Sequence, residues 1–248
     1  MPSRPTLVVV ALAVTAAGVL TGCTVAPAAS NQTVPVALTH AGPSAAAHVT
    51  PQLPQQLPGL GPNTLAQVPS NATQAIVVTG AGINSSDSTV VFYQRTSAGW
   101  RVGASWAAHN GLHGWSANHV NDDLRSPIGV FTLTDAGGLL PNPGTRLTYD
   151  QSRGFTIGGN GFDGESLAGA FDYVIAINYN RVTGTSPLDT REPMGAARGG
   201  GIWLHVDHGG PTHACVSLPA QGMVMLLREL SPSQHPVIVM GDRADLAR

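Results

Sequence analysis

Between Arg4 and Asp87 the chain carries no Asp, Glu, Lys or Arg, and that gap decides where a fold can begin. From residue 24 to about 70 the gap is rich in Ala, Pro, Ser, Thr and Gln, with Pro27, Pro35, Pro43, Pro51, Pro54, Pro58 and Pro62 spaced through it. No apolar period runs through the segment, so nothing in it marks a face to bury. Residues 23–70 are therefore predicted to form an extended, solvated Pro/Ala-rich tether. At roughly 3 Å per residue such a chain reaches on the order of 100 Å. Residues 71–248 remain, enough for one domain with a sizeable core.

Residues 1–22 read as an export signal. Arg4 and the free amine form a short positive region, and Leu7–Leu20 is an apolar run of signal-peptide length. A spanning helix needs about 20 apolar residues, so this run is short for a permanent anchor. It ends in Leu20-Thr21-Gly22-Cys23, which resembles the bacterial lipobox. There the cysteine is acylated and becomes the new N-terminus, so Cys23 is the expected lipidation site. Two or more acyl chains anchor a protein stably. The expected location is extracytoplasmic, lipid-anchored to the outer face of the bacterial cell membrane.

The chain has 2 cysteines, Cys23 and Cys215. With Cys23 lipidated, Cys215 is a free thiol in a compartment where thiols oxidise, which calls for a reason. The net charge is −2 and the 12 basic residues, all arginine, are thinly spread. No basic stripe exists to hold nucleic acid.

The folded part reads as mainly β, sandwich- or barrel-like, with one or a few short helices. Strands are expected over Gln74–Gly80, Ser88–Arg95, Trp100–Trp106, Ile128–Thr134, Tyr173–Tyr179, Gly201–Val206 and Pro236–Met240, from β-branched runs divided by Gly-rich loops. One helix is clear: Met223, Leu226, Leu227 and Leu230 follow the i, i+3, i+4, i+7 spacing. Pro219 suits its first turn, so its N-terminus is expected just after Cys215, where its dipole lowers a thiol's pKa.

Chemistry concentrates in His205-Val206-Asp207-His208-Gly209-Gly210-Pro211-Thr212-His213-Ala214-Cys215. A free thiol near pKa 8.5 is mostly protonated at pH 7, and a nearby imidazole that accepts its proton makes it a nucleophile. The backbone N–H groups at Ala214 and Cys215 are candidate oxyanion donors. The plain alternative is an inert buried cysteine with incidental histidines.

Trp203-Leu204-His205 followed by Pro211-Thr212-His213-Ala214-Cys215-Val216 resembles the signature of L,D-transpeptidases of the YkuD type. Asn110-Gly111 followed by Arg125-Ser126-Pro127-Ile128-Gly129-Val130-Phe131 is similar to the family's Asn-Gly and Thr-Pro-x-Gly-x-Phe stretches. Ile177-Asn178-Tyr179-Asn180 and the closing helix with Pro236–Gly241 also fit, so the likeness spans roughly residues 75–241. Two glycines of the pattern are replaced, by Ala214 and Val206, and the loop between His205 and Cys215 is short. Where the family position requires φ > 0, alanine costs about 1 kcal/mol or more.

The resemblance implies a cell-wall enzyme. His205 would be general base and Cys215 nucleophile, attacking the third-residue carbonyl of a peptidoglycan tetrapeptide stem and releasing D-Ala. The thioester would pass to the amine of a neighbouring stem, forming a 3→3 cross-link. Capture by water would make the protein an L,D-carboxypeptidase. Thr212, His213 and Ala214 would shape the substrate and oxyanion loop, and the Val206 carbonyl would orient His205. Carbapenems would acylate Cys215. No metal or organic cofactor is implied.

Other readings stay open. A catalytically impaired peptidoglycan-binding lipoprotein keeps the pocket without turnover. A zinc site would draw on His205, Asp207, His208, His213 and Cys215, but His205 and His208 converge only if the strand ends between them. Asp122 and Asp123 read as a solvated loop rather than a hydrolase carboxylate pair. His109, His113 and His119 read as surface. Trp100, Trp106 and Trp115 read as core or loop anchors. Arg125 and Arg198 are candidates to hold a substrate carboxylate.

Overall fold

A computed structural model of the chain describes residues 52–248. The expected signal at 1–22, Cys23 and the tether up to residue 51 lie outside the described residues. No helix among the described residues is long and apolar enough to cross a membrane.

The fold is mainly β. Its strands are β1 (Gln74–Gly80), β2 (Asp87–Thr96), β3 (Gly99–His109), β4 (Trp115–Ser116), β5 (Ser126–Pro127), β6 (Gly129–Thr132), β7 (Asp135–Gly138), β8 (Thr148–Gln151), β9 (Val174–Ala176), β10 (Trp203–Val206), β11 (Val216–Leu218) and β12 (Val237–Asp242). Its helices are α1 (Pro62–Leu65), α2 (Ala220–Glu229) and α3 (Arg243–Leu246). Ten strands form one curled half-barrel sheet in the order β6-β12-β1-β2-β3-β11-β10-β9-β7-β8, and β4 pairs with β5 apart from it.

Strand periodicity sorts the apolar residues into two cores. Ile76 and Val78 of β1, with Ile238 and Met240 of β12, face the larger core. Ala75 and Val77, with Val237 and Val239, face a smaller one behind. Both faces of this parallel pair are thus covered, which explains its unbroken apolar runs. Helix α2 lays Met223, Leu226 and Leu227 into the larger core, with Leu230 just past its end, and packs against β10.

The folded body begins before residue 71. Residues 52–70 were expected to be tether, yet Leu57 is buried in the smaller core and Leu60, Leu65 and Val68 pack on it. Trp100 N–H donates to the Pro54 carbonyl at 2.8 Å. Gly61 N–H donates to Leu246 O at 2.8 Å and Asn63 N–H to Arg248 O at 2.9 Å. The leucines are few and unperiodic, so their burial shows only once Trp100, Tyr93 and α3 are assembled around them.

The helix after Cys215 also starts later than expected. Val216-Ser217-Leu218 pairs in parallel with Leu204–Val206 as β11, and Pro219 caps α2 from outside its first turn. Cys215 therefore sits at a strand's head, away from the first turn of α2 to which the N-terminal dipole effect is confined.

Candidate active site

The β10–β11 register builds the site. Leu204 lies opposite Val216 and His205 opposite Ser217, so Cys215 falls beside Trp203. Alternation sends Leu204, Val216 and Leu218 to the larger core. His205, Ser217 and Cys215 take the other face. Two residues distant by ten in sequence are brought to neighbouring strands on one side of the sheet.

His205 and Cys215 line one cavity of about 370 Å³, together with Phe171, His208, Thr212 and His213. His205 is 3% exposed. Its Nδ1 lies 2.9 Å from the Val206 carbonyl. A carbonyl can only accept, so Nδ1 carries the hydrogen and Nε2 keeps the lone pair. Burial lowers the His205 pKa to about 4, with the backbone acceptor at Val206 opposing.

The thiol is held apart from the imidazole at rest. Trp203 N–H donates to Cys215 Sγ at 3.4 Å, and Sγ donates to Gly201 O at 3.6 Å. Among the described residues no hydrogen bond joins His205 to Cys215. Burial pushes the thiol pKa up to about 11, against a smaller lowering by Trp203 N–H. Both groups rest uncharged, so a thiolate–imidazolium pair forms only when Sγ leaves Gly201 O and turns to Nε2.

The loop before the thiol is fixed through its carbonyls. Ser126, fully buried on β5, donates to Ala214 O at 2.8 Å and approaches Cys215 O at 3.3 Å. Thr212 Oγ1 donates to Cys215 O at 2.6 Å. Ser126 Oγ also accepts from Gly111 N–H at 2.9 Å, while Thr212 N–H donates to Asn110 O at 3.0 Å. The Asn110-Gly111 and Ser126-Pro127 stretches thus form the underside of the Cys215 loop. Among the described residues no acceptor takes the N–H of His213, Ala214 or Cys215. Ala214 is not among the residues of positive φ, so alanine there carries no backbone strain.

No protein-family model and no curated protein matches the chain. Among solved structures it is similar to Bd1075 of Bdellovibrio bacteriovorus, at 16% identity and a TM-score of 0.40, over 77% of this chain and 53% of that one. The chain spans about half the length of that protein.

β10 ends at Val206, so His205 and His208 do converge, their rings stacked with centroids 5.7 Å apart. Among the described residues no three His, Cys, Asp or Glu side chains form a metal-binding group. His119 is not on the surface: it is 4% exposed, with Nδ1 2.8 Å from Asp123 Oδ1. His109 pairs through Nδ1 with Asp207 at 2.8 Å, and Ser217 donates to the same carboxylate oxygen at 2.8 Å. His113 is exposed. Arg125 donates to the Trp115 carbonyl at 3.1 Å, and neither it nor Arg198 lines the cavity. Trp100 and Trp115 are buried and Trp106 packs on the larger core.

Three contributors carried no sequence signal. Glu165 and Phe162 belong to a Gly-rich loop without periodicity, yet Glu165 pairs with His208 and the Phe162 ring meets His213 at 4.9 Å between centroids. Phe171 stands edge-on to His205 at 5.3 Å.

Proposed function

We propose that the protein is a cysteine-dependent L,D-transpeptidase acting on peptidoglycan stem peptides, lipid-anchored at Cys23 outside the cell membrane. The observation that carries this reading is the convergence of His205 and Cys215 on one face of adjacent parallel strands, in a shared cavity, with Nε2 of His205 left as the proton acceptor.

Nε2 takes the thiol proton as Sγ attacks the third-residue carbonyl of the stem. The oxyanion draws on the unclaimed amides of residues 213–215. The C–N bond breaks, His205 returns the proton to the departing D-Ala amine, and a thioester remains. A neighbouring stem's amine then attacks the thioester, loses its proton to His205 and takes the acyl group, and Sγ leaves with that proton. Water in place of the amine gives the carboxypeptidase outcome.

A second reading, an impaired wall-binding lipoprotein, draws support from the resting thiol, which is uncharged and donates to Gly201 O instead of His205. Intact-mass spectrometry after incubation with a carbapenem separates the two. The expected result is a covalent adduct on the wild-type chain that is absent in Cys215→Ala. No adduct on the wild type overturns the enzyme reading in favour of the binder.

A further inference from the structure

The stretch Ile177-Asn178-Tyr179-Asn180 follows β9 and ties down the loop against which the thiol rests. Asn180 is buried, and its backbone lies in the left-handed region at φ 42°. Its carboxamide takes three polar groups of that loop. Nδ2 donates to Gly195 O at 3.1 Å and to Gly199 O, and Oδ1 accepts from Met194 N–H at 2.7 Å. The hydroxyl of Tyr179, also buried, donates to Arg198 O at 2.9 Å. Between these anchors Ala196–Arg198 forms a single 3-10 turn. Gly199 and Gly201 both stand at φ 65°, a conformation that glycine takes without strain. The chain thus passes from Gly199, bonded to Asn180, to Gly201, whose carbonyl accepts from Cys215 Sγ at 3.6 Å. Ile177 N–H donates to Ile202 O at 3.0 Å and closes the far end of the span.

We infer that Asn180 is a positioning residue that holds Cys215 in reserve, by fixing the 194–201 loop whose Gly201 carbonyl accepts the thiol hydrogen. The inference rests on the reading of Cys215 as nucleophile and His205 as base. In that reading the thiol proton crosses to Nε2 of His205, so the bond from Sγ to Gly201 O breaks first. The carbonyl is held back from following the sulfur, because Gly199 and Arg198 beside it are bonded to Asn180 and Tyr179. Asparagine is among the few non-glycine residues that bear a left-handed backbone. What it adds over glycine at position 180 is the carboxamide, and each of that group's bonds goes to the 194–199 segment. The resting thiol and the loop are in this way one unit, and the nucleophile is freed when they part.

The test uses the full chain and two variants, Asn180→Gly and Tyr179→Phe. Glycine accepts the backbone conformation at position 180 and removes only the carboxamide. Phenylalanine keeps the ring at position 179 and removes only the hydroxyl. The infrared S–H stretching band of Cys215 is isolated as the difference from the same protein carrying Cys215→Ala. In the wild type this band should lie below that of an alkanethiol in hexane, as it does for a thiol that donates a hydrogen bond. In Asn180→Gly it should move up towards the alkanethiol, and in Tyr179→Phe part of the way. Weakening of the fold elsewhere leaves the band in place, because its frequency reads only the thiol's own partner. The rate of adduct formation at saturating carbapenem, followed by intact mass, should rise about 2- to 10-fold in Asn180→Gly, the worth of one neutral hydrogen bond. An unmoved band in both variants overturns the inference, and so does an unchanged or lower rate once the band has moved. The two failures are separable. An adduct on the wild type with an unmoved band removes the role of Asn180 alone. No adduct on the wild type or on either variant removes the nucleophile reading, and the inference with it.

Discussion

At the scale of single residues, burial governs the site. His205 titrates near 4 in the folded chain, well below the ordinary 6.5. The unfolded chain therefore binds the extra proton first as pH falls, and stability is lost through the window from about 6.5 down to 4. The size is about 3 kcal/mol for a shift of that extent. Urea unfolding at pH 7 and pH 4 should show this slope, and His205→Gln should remove most of it; an identical slope in the variant would contradict the assignment. The sequence made the pair His205 and Cys215 visible through spacing and residue type. It did not show their protonation. That depends on burial against Phe171 and Trp203, which are brought in by tertiary contacts.

At the scale of elements, legibility followed periodicity. β1, β2 and β12 carry strong apolar patterns and lie where the patterns predicted, as does the apolar face of α2 apart from its later start. β7 reads Asp-Ala-Gly-Gly and β8 Thr-Tyr-Asp-Gln, and neither has an apolar alternation to detect. Both are strands because backbone pairing with β9 and with each other selects them. β11 was hidden for another reason: three residues between a turn and a helix look like the helix's own lead-in. Its small size matters, since it fixes the register that sets Cys215 beside Trp203. β5 performs a similar service from below through Ser126. Ser126→Ala strips Gly111 N–H and Ala214 O of their shared hydroxyl inside the protein, at about 1–3 kcal/mol. The urea midpoint should fall with the slope of the transition unchanged. An unshifted midpoint would mean that the Cys215 loop does not depend on this strut.

At the scale of the whole molecule, the boundary between tether and domain is the main correction. Charge and proline content describe residues 52–70 as solvent-facing, and most of their side chains are. Leu57 and Thr64 are buried, and Leu57, with the partly buried Leu60, Leu65 and Val68, closes the smaller core over Trp100. A chain beginning at residue 71 should be less stable than one beginning at 52 by about 3 kcal/mol or more, as burying one leucine is worth about 1.5–3 kcal/mol. Equal thermal midpoints for the two would refute this.

That clasp also has a mechanical meaning. The chain enters the folded body at the same place where it ends, with Gly61 and Asn63 bonded to Leu246 and Arg248. Three strands, β2, β3 and β11, separate β1, behind which this clasp lies, from β10, which carries His205. A load drawn through residue 52 meets the bonds of Pro54 and Gln55 to Trp100 and Ala98 first, and then those of Gly61 and Asn63 to the C-terminal residues. Single-molecule extension from residue 52 should show an early, small lengthening before the sheet ruptures, and a single high-force rupture would exclude it. In a chain anchored as proposed, such an early lengthening would leave the strands around the cavity in register.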